Sequence, residues 1–148
     1  MAISKTQSIQ NFIRTIGQDI QHYRRLVPLL EQQQKLYLQF DGRALSDNLR
    51  RQTPLLQQMQ QTASQRSSSL RQIGLAADEK GVQRLLNALP TPLKNQVANQ
   101  WRELQRLVSR CQQLNQQNGH SSANFHEMLV NLTQRDVDTY PDSQPQVG

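Results

Sequence analysis

The residues with chemical potential are few, and their spacing does not suit catalysis. Cys111 is the single cysteine. It has no histidine within four residues to activate it and falls on an apolar helical stripe, where a small buried thiol is ordinary. His120 and His126 stand six apart, about 240° around a helix, whereas metal ligands that share one helix face stand four apart. Asp78 and Glu79 sit where a helix begins, a place that favours carboxylates for its free N–H groups. Asp136, Asp138 and Asp142 lie in a polar C-terminal stretch. Neither group offers the rigid, shielded carboxylate pair that general acid and base catalysis needs. There is no GxxxxGK phosphate loop, no GxGxxG after a strand and no GxSxG elbow. These residues predict a protein that is not an enzyme, holds no metal and needs no cofactor. Its function then lies in its surfaces.

Composition narrows the class further. The chain has 148 residues, with 26 glutamines, 20 leucines, six glycines and six prolines, a balance that favours long helices over an all-β fold. No run approaches the roughly 18 apolar residues of a membrane span, and the start MAISKTQSIQNFI lacks the apolar core of a secretory signal. A cytoplasmic protein without membrane insertion is expected. Residues 1–75 carry ten basic and four acidic side chains and residues 76–148 carry seven of each, so the net charge of +6 resides in the first half. Such a half attracts phosphate or an acidic partner, or it is simply a solvated helix surface. The aromatics are too few for a stacking platform and no DNA-binding motif is present, which disfavours nucleic acid.

The elements that position these residues are read from heptads. Ile9, Ile13, Ile16, Ile20, Tyr23, Val27, Leu30, Gln34 and Tyr37 recur at alternating steps of four and three, as a coiled-coil seam does. Asp41-Gly42 then supplies a helix stop, since glycine tolerates the left-handed conformation. A second seam runs Leu45, Leu49, Gln52, Leu56, Met59, Ala63, Arg66, Leu70 and Ile73 up to Gly74. Two long helices joined by so short a turn pack antiparallel. Their register agrees: Tyr37 with Leu45, Tyr23 with Met59, Ile20 with Ala63 and Ile9 with Ile73 have numbers adding to 82 or 83. Pro28 and Pro54 fall at one level, which suggests a shared bend. Alternatively, Thr53-Pro54 is an N-cap and first helical residue.

Asp78 reads as the N-cap of a short helix carrying Val82, Leu85, Leu86 and Leu89. The third seam runs from Leu93 through Val97, Leu104, Leu107, Cys111, Leu114, Asn118 and Ser121 to Phe125, Met128 and Leu132, with Trp101 beside it. Asn115, Asn118, Gly119, Ser121 and Ser122 make its middle polar, so the segment beyond is expected to be separable. The predicted fold is all-α: a long antiparallel hairpin packed with a third long helix in an up-down, coiled-coil-like bundle. Helices are expected at about 4–40, 43–73, 78–89 and 93–132 in one domain of residues 1–132, followed by a flexible tail, 133–148.

Phe125, Met128, Leu129 and Leu132 follow the i, i+3, i+4, i+7 spacing of an amphipathic helix that lays one face in a groove. The same spacing also fits a helix that completes the bundle. A methionine and a phenylalanine after a polar break favour a partner surface, because such a face adapts to its partner. Periodicity leaves open a generic coiled-coil adaptor or structural subunit, including a homodimer.

Three stretches together resemble the FlgN family of flagellar export chaperones. They are the hairpin turning near Asp41-Gly42, RSSSLRQIGL from Arg66 to Leu75, and WRELQRLVSRCQQLNQQNG from Trp101 to Gly119. The resemblance covers roughly residues 5–132. It implies a helical cytosolic chaperone that holds the hook-filament junction proteins FlgK and FlgL before secretion. By position it implies cargo binding through Phe125, Met128, Leu129 and Leu132. The sequence Asp138-Thr139-Tyr140-Pro141-Asp142 is similar to the family's docking tyrosine for the export gate protein FlhA, which implies that role for Tyr140.

Overall fold

The computed structural model describes the backbone of residues 4–139 and the side chains of residues 4–123. Four helices follow in order: α1 (Lys5–Gln39), α2 (Gly42–Ile73), α3 (Glu79–Ala88) and α4 (Thr91–Thr139). Three begin at side-chain caps. Ser4, Asp41 and Asp78 accept hydrogen bonds from the backbone N–H groups of Gln7, Ala44 and Gly81, each cap contributing about 1 kcal/mol.

The hairpin turn differs from expectation in one residue. Phe40, at φ 54°, takes the left-handed position that ends α1, while Gly42 is the first residue of α2. Asp41 caps α2 and also donates its backbone N–H to the Leu36 carbonyl, so each residue of the turn satisfies one helix end. At the other end Gly74, at φ 89°, closes α2 as its position suggested, with the Leu75 N–H on the Leu70 carbonyl. Pro28 and Pro54 both lie inside continuous helices. Thr53 is therefore no N-cap; its hydroxyl donates to the Leu49 carbonyl.

α1 is the central helix, packed against both α2, which runs antiparallel to it, and α4, which runs parallel to it. Across the hairpin, Ser8 bonds Gln72, Gln32 bonds Asn48, Gln33 bonds Gln52 and Asp19 pairs with Arg66. The numbers of these pairs add to 80, 80, 85 and 85, bracketing the register read from the sequence. Of the expected α2 seam, Leu45, Gln52 and Leu70 are buried and Met59, Arg66 and Ile73 half-buried, while at the positions between them burial falls one residue earlier. Asn48, Leu55, Thr62 and Ser69 are buried, whereas Leu49 is 41% and Leu56 45% exposed and Ala63 is also exposed. The cause is chemical: Asn48 and Gln52 find partners on α1, and the small Thr62 and Ser69 let the two helices approach. On α1 the stripe includes Phe12, Leu26 and Leu36 beside the expected Ile16, Ile20 and Leu30. A helix packed on two sides buries a wide face.

One core cluster joins Phe12, Ile16 and Ile20 to Leu70, to Val82, Leu85 and Leu86 of α3, and to Val97, Leu104 and Leu107 of α4. A second joins Leu26, Leu30 and Leu55 to Cys111 and Leu114. Helix α3 thus closes one end of the bundle. On α4, Val97, Leu104, Leu107, Cys111, Leu114 and Asn118 are buried along the expected seam. The backbone of α4 runs unbroken through Asn118-Gly119 and is helical to Thr139, the last described residue, seven residues beyond the expected helix end.

Candidate functional site

The position of the C-terminal stripe follows from the register of α4 on α1. Phe12 packs its ring against Trp101 at 6.2 Å, and Leu30 accepts a bond from Asn118 at 3.0 Å. Arg24 pairs with Glu103 and Glu31 with Arg110. Partner numbers differ by 79 to 89, so the end of α1 at Gln39 lies level with α4 between residues 118 and 128. From residue 129 onward α4 has no part of α1 at its level. Leu129 and Leu132 fall in that extension; Phe125 and Met128 fall at its root. Their backbone is helical, which keeps all four on one side of α4, while their side chains lie outside the described residues. Tyr140 also lies outside them.

Within the described residues the polar chemistry is internal. Asp19 is buried, and its two carboxylate oxygens accept from Arg66 and from His22 Nδ1, the latter at 3.1 Å. The Arg66 guanidinium also lies 5.8 Å from the Trp101 ring centroid, a cation–π distance. Tyr23 stands beside this group; burial, then the Asp19 charge, raises its phenol above the ordinary range. Nearer the hairpin turn, Asn48 donates to Gln32 and the Leu29 carbonyl, and Gln52 donates to Gln33 and Asn48. These amides form a polar layer in an otherwise aliphatic stack. Their signal in the sequence was the occurrence of Gln52, Arg66 and Asn118 at seam positions; Asp19 and Asn48, off the seam, gave none.

Burial pushes the Cys111 thiol up to about 11, against a smaller opposing effect of Arg110, which suits a core residue and not a nucleophile. The hydrogen bond from Arg106 holds the Glu103 carboxyl below its ordinary range, leaving that surface carboxylate ionised. Among the described residues no three His, Cys, Asp or Glu side chains converge as metal ligands, and no described helix is long and apolar enough to cross a membrane. The arrangement can hold helices together and present helical faces.

Comparison with known proteins agrees with this geometry. The family model of FlgN protein matches residues 1–136. A crystal structure at 1.48 Å resolution, described as a flagella synthesis protein FlgN from Pseudomonas aeruginosa, superposes with a TM-score of 0.67 at 25% sequence identity, covering 87% of this chain and 99% of that one. A comparison with curated proteins returns no significant match. With its helical bundle and the match across nearly its whole length, this chain belongs to the FlgN family.

Proposed function

We propose that the protein is a cytoplasmic chaperone of flagellar export that holds hook-filament junction proteins of the FlgK and FlgL type, keeps them from assembling early and delivers them to the export gate. It catalyses nothing. The observation that supports this reading best is that the backbone of α4 continues past the level of Gln39, where α1 ends, so that Leu129 and Leu132 have no part of α1 level with them. Phe125, Met128, Leu129 and Leu132 are the residues assigned to the cargo contact. Cargo segments that order on binding spend part of their contact energy on lost entropy, which keeps affinity low enough for release. Tyr140 is assigned to docking on FlhA.

The test is co-purification of the full chain with FlgK and FlgL from the same organism, followed by titration calorimetry. A one-to-one complex that dissociates on addition of the FlhA cytoplasmic domain is expected. Absence of binding to both proteins at tens of micromolar would sink the proposal.

A further inference from the structure

Pro28 on α1 and Pro54 on α2 stand at one level of the hairpin, each inside a continuous helix. Neither has an N–H, so the carbonyls of Arg24 and Arg50, four residues earlier, lose their helical donors. On α2 the Thr53 hydroxyl also donates to the Leu49 carbonyl, a contact that competes with the backbone ladder and weakens a helix slightly. The ladders of both helices are therefore thinned across one plane, beyond which residues 29–53 form a distal hairpin.

What holds the two sides of that plane differs. On the proximal side Phe12, Ile16, Ile20 and Leu70 pack with Val82, Leu85 and Leu86 of α3 and with Val97, Leu104 and Leu107 of α4. On the distal side the buried side chains are Leu30, Gln33, Leu36, Leu45, Asn48 and Gln52, of which half are amides. The amides bond one another, Gln32 and the Leu29 carbonyl. When helices part, such bonds are replaced by bonds to water, so their net hold is small, whereas the gain from aliphatic burial is lost outright. Among the described residues α4 is tied to the distal hairpin at few points. Leu30 packs with Cys111 and Leu114, its carbonyl accepts from Asn118, and Glu31 pairs with Arg110 at the surface, where an ion pair adds little.

Segments that open below the free energy of global unfolding are those with few buried apolar contacts. We propose that residues 29–53 are a separately opening unit hinged at Pro28 and Pro54. The distal hairpin comes apart in one step while the proximal bundle stays packed. Residues 115–122 of α4 are released with it, because their anchor is the Leu30 carbonyl. The device lets the end of α4 leave α1 without unfolding of the bundle, whichever residues bind cargo.

Native-state hydrogen exchange of the full chain in dilute urea tests this, where each amide's rate reports its opening equilibrium. Amides of residues 31–52 and 115–122 are expected to share one opening, with protection at least about tenfold below that of residues 12–26 and 97–107, the step falling within about one turn of the two prolines. Two substitutions separate a local unit from opening of the whole. Ile16 is fully buried in the part that stays packed. Ile16→Val should lower protection of residues 12–26 by about threefold or more and leave that of residues 31–52 within about twofold of wild type. Leu45→Ala, inside the unit, should lower protection of residues 31–52 and 115–122 together by at least about tenfold. Gln33→Ala takes its place if circular dichroism shows that Leu45→Ala is unfolded. Equal protection of the two regions, a step far from the prolines, or an equal fall in both regions on Ile16→Val overturns the proposal, since the bundle then opens only as a whole. Protection of residues 115–122 that ignores the substitution inside the unit also overturns it, because α4 then frays on its own.

Discussion

Asn118 on α4 donates its Nδ2–H to the carbonyl oxygen of Leu30 on α1, while its own Oδ1 is buried without a partner among the described residues. Two chains of argument meet in this contact. It fixes the parallel register that carries α4 past the hairpin, and it leaves one polar atom desolvated. Such an atom costs about 1–3 kcal/mol. Asn118→Leu removes the orphan together with the bond, and the expected stability change in urea unfolding is within about 1 kcal/mol of zero. Asn118→Asp sets a carboxylate against the Leu30 carbonyl and should cost more than about 2 kcal/mol at neutral pH. Equal effects of the two variants would show that this site is solvated.

Asp19 and Arg66 form a buried pair whose value depends on both members. Removing one leaves an uncompensated charge, a loss of about 3–5 kcal/mol, whereas an apolar pair of similar volume is often neutral. Asp19→Leu and Arg66→Met should each be strongly destabilising, and the double variant should recover a large share. A double-mutant cycle in urea measures the coupling; simple additivity would place the pair in solvent.

What the sequence revealed and what it hid follow from the number of neighbours each helix has. The α4 seam from Val97 to Asn118 was legible because α4 buries one continuous apolar stripe, chiefly against α1. The hairpin register was legible because a short turn leaves it no freedom. Part of the face of α2 was misplaced by one residue: heptad reading follows leucines, and here Asn48 is buried in place of Leu49, by a partner 16 residues away. Phe40 was missed as the helix stop because a left-handed phenylalanine is unusual when glycine is two residues on. Arg66 stood on the expected seam, but its partner Asp19 lies off the seam and 47 positions away. No local pattern announces such a pair.

Two glycines in helices should respond oppositely to alanine. At Gly17, inside α1, an added methyl meets nothing within 4 Å, so Gly17→Ala should stabilise by about 0.5–1 kcal/mol through reduced chain entropy. At Gly81 the methyl would overlap the Ala76 carbonyl, so Gly81→Ala must displace the start of α3 and destabilise. Thermal melts of the two variants check both signs.

Cys111 is 4% exposed and its thiol is raised to about 11. At pH 8 about one thiol in a thousand is ionised in the native state, against roughly one in four for a free cysteine of pKa about 8.5. Labelling with a disulfide reagent at pH 8 should therefore be slow in buffer, accelerate in urea at the unfolding midpoint, and rise tenfold per pH unit below pH 11. Immediate native labelling would contradict the burial of this part of α4.

The C-terminal stripe offers the sharpest division between bundle and surface. If Phe125, Met128, Leu129 and Leu132 bind cargo on the extension of α4, the Phe125→Ala, Leu129→Ala double variant should lose affinity for FlgK or FlgL by about 2 kcal/mol or more, as truncation of interface anchors does. Its thermal unfolding should stay close to wild type, because no part of α1 lies level with Leu129. If instead these residues fill a core, each truncation leaves a cavity costing roughly 2–5 kcal/mol, and the melting temperature should fall steeply whether or not cargo is present. The two measurements respond to different physical events, desolvation against a second chain and packing within the first. A large loss of stability with unchanged affinity per folded molecule would reject the stripe as the cargo face, while the reverse would locate the chaperone's grip beyond the hairpin.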